Sequence, residues 1–255
     1  MTEIKPIHLA LKDAAVLGAP FGQTAPAAAT LASQFAPLRE KIAAHYPPQS
    51  LIDSSNDLAE FLDSILLIDG TYGEDGQLPI DDVIEAADEA IRAAADIQNQ
   101  LPRLNLTDAL PTLDAIAIGV GLWCMRHEVT IYAPEPIVNA LARHANSATS
   151  TQETAATFAL MQGFVLHLAP QLKSDLERSN PERPWRMLNI NFAIVAIRTA
   201  DVAMMRYAFD QLNLSLPDEC AGFYAEAFTL ASQPGFPAEI RSLIESEQRR
   251  FTQMH

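Results

Sequence analysis

Apolar residues recur along this chain at the spacing of a helix. Leu31, Phe35, Leu38, Ile42 and His45 fall at i, i+4, i+7, i+11 and i+14, one face of a 3.6-residue repeat. Pro37 lies inside this stretch and is the one place where it could divide into two helices, because proline removes an amide donor and crowds the preceding turn. A second helix is expected to start near Ser54 or Ser55, with Asp57 in its first turn and Leu58, Phe61, Leu62, Ile65 and Leu66 on one face. A third runs from about Pro79 to Gln98, with Ile84, Ala87, Ile91 and Ala94 opposite Asp82, Glu85, Glu89, Arg92 and Asp96.

The pattern continues through the middle of the chain. Thr107 is the expected N-cap of a helix that reaches Met125 or Arg126, with Pro111 still in its first turn. Val129–Tyr132 is the one extended patch, β-branched and aromatic, and at four residues it amounts to an edge fragment. Ile137, Val138, Leu141 and Ala145 form the stripe of a helix after Pro136. Ser150-Thr-Gln-Glu153 has the spacing of a capping box and opens a helix that Pro170 should end. The polar stretch Gln171–Pro184 reads as a linker, so a single domain over 1–255 divides, if anywhere, into 1–170 and 185–255.

Beyond it, Trp185–Leu212 reads as one long helix of about 40 Å at 1.5 Å per residue, uncharged from Met187 to Ile197 and therefore central. Ser215-Leu-Pro-Asp218 caps the next helix, and Pro234–Pro237 separates that from a last one ending near Arg250. Eight or nine helices, no strand–helix alternation and no clean repeat predict an all-α fold: a compact bundle or an irregular helical array.

Composition narrows the class. The chain has 255 residues, 49% hydrophobic and 19% charged, a balance that excludes wholesale disorder. Its formal charge of -15 disfavours nucleic acid and anionic membrane surfaces. The charge-poor runs Ala115–Met125 and Leu188–Ile197 fall short of a membrane span, and no signal-peptide core opens the chain. Cys124 and Cys220 cannot form a disulfide framework and read as small buried hydrophobes. A cytoplasmic protein is the expectation.

The common catalytic signatures are absent. There is no GxGxxG, Walker loop, GxSxG elbow or CxxC, and His127-Glu128 lacks the second histidine of a zinc protease. The anomaly is where the negative charge sits. From Asp53 to Asp96 there are 13 acids and one base, Arg92, which gives this segment -12 of the total -15.

That segment admits three readings. As a solvated or docking face, Asp82, Glu85, Glu89 and Asp96 would meet a partner with a basic surface. As a calcium loop, Gly70–Asp82 resembles the latter half of an EF-hand: Asp75-Gly76-Gln77-Leu78, then Asp82. Thr71 and Gly73 stand where coordinating side chains belong. As a Mg²⁺ site, Glu60-x-x-Asp63 and Glu85-x-x-Asp88 form two i, i+3 carboxylate pairs on consecutive helices. In this the span from Glu60 to Asp88 resembles the MazG-like all-α pyrophosphatases, without that family's extra glutamate beside the first pair. The resemblance implies Mg²⁺ held by Glu60, Asp63, Glu85 and Asp88 for nucleoside triphosphate hydrolysis. Asp81-Asp82-x-x-Glu85 also resembles the aspartate-rich motif of class I terpenoid synthases, with no second metal motif beside it. Periodicity counts against a metal pocket, because Glu60 and Asp63 flank their apolar stripe and Glu85 lies opposite Ile84.

A last set comprises polar residues that interrupt apolar helices: Asp114, His167, Arg198 and Asp201, with Asn189 and Asn191 upstream. Such groups need partners, either in a core network or in a cleft that takes a small ligand. The leading expectation is a non-enzymatic helical interaction or regulatory protein. A Mg²⁺-dependent hydrolase comes second and a small-ligand binder third; self-association into a homo-oligomer is a further partner class.

Overall fold

The computed structural model describes residues 28–72, 80–174, 178–233 and 235–252, and of residues 80–82 the backbone. Ten α-helices and no strand occur among the described residues, so the fold is all-α. They are α1 (Ala28–Ala43), α2 (Gln49–Tyr72), α3 (Ile80–Gln100), α4 (Leu110–Arg126), α5 (Glu135–Ser147), α6 (Thr151–Leu172), α7 (Pro184–Thr199), α8 (Val202–Ser215), α9 (Pro217–Ala231) and α10 (Ala238–Thr252).

The apolar stripes are the buried faces. Leu31, Phe35, Leu38 and Ile42 of α1, Leu58, Phe61, Leu62 and Ile65 of α2, and Ile137, Val138, Leu141 and Ala145 of α5 are all buried. Burying such stripes removes apolar area from water at about 25 cal/mol per Å², which is what holds short helices together. Consecutive helices pack on one another: α1 on α2, α2 on α3, α4 on α5, α6 on α7, α7 on α8 and α9 on α10. Contacts of α1 with α4, α3 with α5, α5 with α7 and α8 with α10 close the array around one apolar cluster.

Most of α4 is buried on all sides. The stretch Thr107–Arg126 is apolar and long enough to cross a membrane, at mean hydropathy 1.3, yet 72% of that window is buried inside the fold. It is a core helix here. Gly121 makes this possible at one point, where Phe164 of α6 and Ile137 of α5 stand in the space that a Cβ would take.

Several boundaries differ from the sequence expectation. Helix α2 begins at Gln49, and the hydroxyls of Ser54 and Ser55 bond back to the carbonyls of Ser50 and Leu51 within the helix instead of capping it. Pro37 is accommodated inside α1, and Pro170 lies inside α6, which ends at Leu172. Thr107 belongs to a 3-10 turn ahead of α4 rather than capping it. The capping box is present, with Ser150 accepting from the Glu153 amide and Glu153 from the Ser150 amide. Ser215 is the last residue of α8, where its hydroxyl accepts from Gln211, and α9 has no side-chain cap.

The largest correction concerns Trp185–Leu212. It is two helices, broken at Ala200, which adopts a left-handed conformation with φ of 54°. Asp201 then caps α8, its Oδ1 accepting from the amides of Ala203 and Met204 at 2.8 and 2.9 Å. Nor does Val129–Tyr132 pair as a strand. Val129 and Ile131 are fully buried, and the amides of Tyr132 and Ala133 go to the carboxylate of Asp88.

Candidate functional site

The acidic segment folds into two neighbouring helices. On α2, Asp53, Asp57, Glu60 and Asp63 are exposed; on α3, Glu85, Glu89 and Asp96 are exposed. The Ser54 hydroxyl lies 3.5 Å from Asp96 Oδ2, which places the end of the α3 row beside the start of the α2 row. Among the described residues no Lys or Arg forms an ion pair with any of these seven. Arg92, also exposed, is the one base on the two helices.

The carboxylates expected to hold Mg²⁺ do not gather. Glu60, Asp63 and Glu85 face solvent. Asp88 is buried, and its carboxylate accepts from Tyr132 N at 3.0 Å and Ala133 N at 3.1 Å. That carboxylate is committed to the backbone ahead of α5. Among the described residues no three His, Cys, Asp or Glu side chains form a group able to hold a metal ion. The half-loop Asp75-Gly76-Gln77-Leu78 and the Asp82 side chain lie outside the described residues.

The polar residues of the apolar helices are not one cluster either. Asp114 is buried and accepts a two-point bond from Arg143 of α5, Nε to Oδ2 at 2.8 Å and a terminal nitrogen to Oδ1 at 2.7 Å. Gln98 of α3 adds a third bond at 2.8 Å. The pairing raises the Arg143 pKa further above its ordinary value. His167 reaches the carbonyl of Val129 at 3.0 Å, so Nε2 carries the proton, and burial lowers its pKa. Arg198 closes the C-terminal end of α5, with its guanidinium on the carbonyls of Ala145 and Ala148, the latter at 2.7 Å. Asp201 makes the α8 cap and no pair with Arg198. Asn189 and Asn191 bond back to carbonyls of their own helix.

Two open clefts border these groups. One, of about 470 Å³, is lined by Arg198, Thr154, Ile197 and Phe236 among others. The other, of about 350 Å³, is lined by Gln98, Asn99, Asn139 and Arg143. Two buried polar atoms of α7, Trp185 Nε1 and Asn189 Oδ1, have no hydrogen-bond partner among the described residues, and neither residue lines either cleft.

One buried polar centre escaped the sequence reading. Asp69, near the end of α2, accepts from Trp123 Nε1 at 2.8 Å and lies 3.1 Å from His127 Nε2 and 3.4 Å from an Arg126 nitrogen. These side chains are at most 10% exposed. Asp69 lies within the acidic segment, and nothing local in the sequence distinguishes it from its exposed neighbours.

Both cysteines are buried, and burial pushes their thiols up, Cys220 to about 12, so neither is a thiolate nucleophile. Comparison of the chain with protein families, curated proteins and solved structures finds no match to any of them.

Proposed function

We propose that this is a non-enzymatic interaction protein whose acidic α2–α3 surface receives a partner with a basic face. The observation that supports it is the pair of exposed carboxylate rows, none of which is in an ion pair with a Lys or Arg among the described residues. Like charges three or four residues apart on a helix cost about 0.2–0.5 kcal/mol a pair. Asp53 with Asp57, Asp57 with Glu60, Glu60 with Asp63 and Glu85 with Glu89 all have that spacing. A cationic partner relieves this repulsion, and the field steers its approach.

The test is the association kinetics of a lysine-rich peptide by stopped-flow fluorescence. Its on-rate should fall steeply with added salt, screened over about 8–10 Å near physiological ionic strength. Reversal of Glu85 and Glu89 to lysine should slow association while leaving thermal stability nearly unchanged. An on-rate indifferent to both salt and charge reversal would refute the proposal.

A further inference from the structure

The same surface carries exposed leucines as well as charge. Near the end of α2, Leu67 is 72% exposed on the side opposite the buried stripe, and Leu66, expected in that stripe one turn after the buried Leu62, lies at its edge and is 42% exposed. Leu67 lies one turn beyond Asp63 and two turns beyond Glu60 on the same side of the helix. Ile52, 37% exposed, shares the outward stripe with Asn56 and Asp63 at its other end. The exposed side of α2 is therefore mixed: aliphatic at Ile52 and Leu67 and, at its edge, Leu66, with carboxylates between and beside them. These leucines keep apolar area in water, beside the carboxylates, that the apolar side of a partner could cover.

Resting on the interaction reading above, we infer that the outward face of α2 docks a basic amphipathic helix. Its aliphatic side would cover Leu66 and Leu67, and its Lys or Arg residues would meet Glu60, Asp63 and the flanking acids. Charge selects this occupant over the others. A second copy presenting the same face brings like charge against like charge. The 27 residues ahead of α1 carry Lys5 and Lys12 against Glu3 and Asp13, a net charge of zero. Anionic membranes and nucleic acids are repelled. A helix that offers an apolar stripe and cations matches both components of the face.

The experiment compares two fluorescently labelled peptides of identical Leu and Lys composition. One is amphipathic over about five turns and the other is a scrambled isomer with no apolar face. By fluorescence anisotropy the amphipathic peptide should bind the full chain about tenfold more tightly than the isomer, about 1.4 kcal/mol. The double variant L66S/L67S should lose that preference and keep the isomer's affinity, with an unchanged circular dichroism spectrum since both positions are exposed. The double variant E60K/D63K should weaken both peptides.

Equal affinity of the two peptides for the unaltered protein would overturn the inference and leave the electrostatic reading standing. Failure of both peptides to bind would overturn both. A preference that survives in L66S/L67S would place the amphipathic site elsewhere. A concentration-dependent dimer seen by sedimentation and abolished in L66S/L67S would assign the face to a second copy, again overturning the inference.

Discussion

Asp114 and Arg143 meet in a two-point bond whose halves differ in environment: the carboxylate side chain is 10% exposed and the guanidinium side chain 45%. The pair joins the start of α4 to the end of α5, and Gln98 ties α3 to the same carboxylate. The two ends therefore respond differently to removal of the other.

Arg143→Ala strands a buried carboxylate with one remaining side-chain donor, and should cost about 2–3 kcal/mol, discounted from a fully buried pair because Arg143 is half in water. Asp114→Ala frees a guanidinium that solvent can hydrate, and should cost about 1 kcal/mol. Urea denaturation of the two variants checks the asymmetry; equal losses would contradict it.

At the break between α7 and α8, Ala200 holds a left-handed conformation that glycine adopts without strain. Ala200→Gly should stabilise the protein by about 0.5–1 kcal/mol, a rise in Tm on calorimetry. Asp201→Ala removes the cap of α8 and should cost about 1 kcal/mol, while Asp201→Ser should recover most of that loss. A loss of several kcal/mol at Asp201 would point to a buried ion pair instead of a cap.

Gly121 and Gly163 separate overpacking from easy accommodation. A Cβ on Gly121 would stand 2.8 Å from a ring atom of Phe164 and 2.9 Å from the end of Ile137, so Gly121→Ala should cost about 1–3 kcal/mol. A Cβ on Gly163 meets only the flexible tip of Met125, at 2.9 Å. There the helix propensity of alanine, worth about 1 kcal/mol over glycine, offsets the contact, and Gly163→Ala should be neutral or mildly stabilising by thermal denaturation.

Acid should weaken the fold through its partly buried histidines, His144 and His167. Burial lowers the pKa of His167 and of His144 below the ordinary 6.5. The unfolded chain therefore binds protons at a pH where the folded one does not. This stability is fully present above about 6.5 and is lost as pH falls below that value toward the folded pKa values. Urea midpoints measured from pH 7.5 to 5.5 should decline, and His167→Gln, which can still donate to Val129, should flatten the decline. An unchanged slope in that variant would remove His167 from the account.

Much of the fold could be read from local spacing because helices are local. The stripes of α1, α3 and α5 and the capping box of α6 depend on residues no more than a few turns apart. The break at Ala200 could not be read that way, since alanine is the best helix former and neither Gly nor Pro marks the turn. Ser54 and Ser55 misled for a related reason: a serine hydroxyl that caps a helix can equally bond back within one.

The acidic face was legible in part. Periodicity separated Glu85 and Glu89 from the core side of α3, and both are exposed. It did not separate Asp88 or Asp69, whose partners Tyr132 and Trp123 lie 44 and 54 residues away and meet them only in three dimensions. Asp114, His167 and Arg198 do not share one cluster because each found its partner on another segment, which spacing along its own helix cannot name; Asp201 instead caps its own helix, α8, once the chain breaks at Ala200.

The bond between Asp69 and the Trp123 indole has an optical consequence. A carboxylate held 2.8 Å from the indole Nε1, in a site at most 10% exposed, should make Trp123 emission sensitive to the position of the last turns of α2. Leu67 is two residues from Asp69 but faces the other side of that helix, so only a ligand that shifts the last turns of α2 as a whole should change the Trp123 emission. Trp123 emission is therefore an unlabelled probe of that end of α2, with Trp185, on α7, the one other indole in the chain.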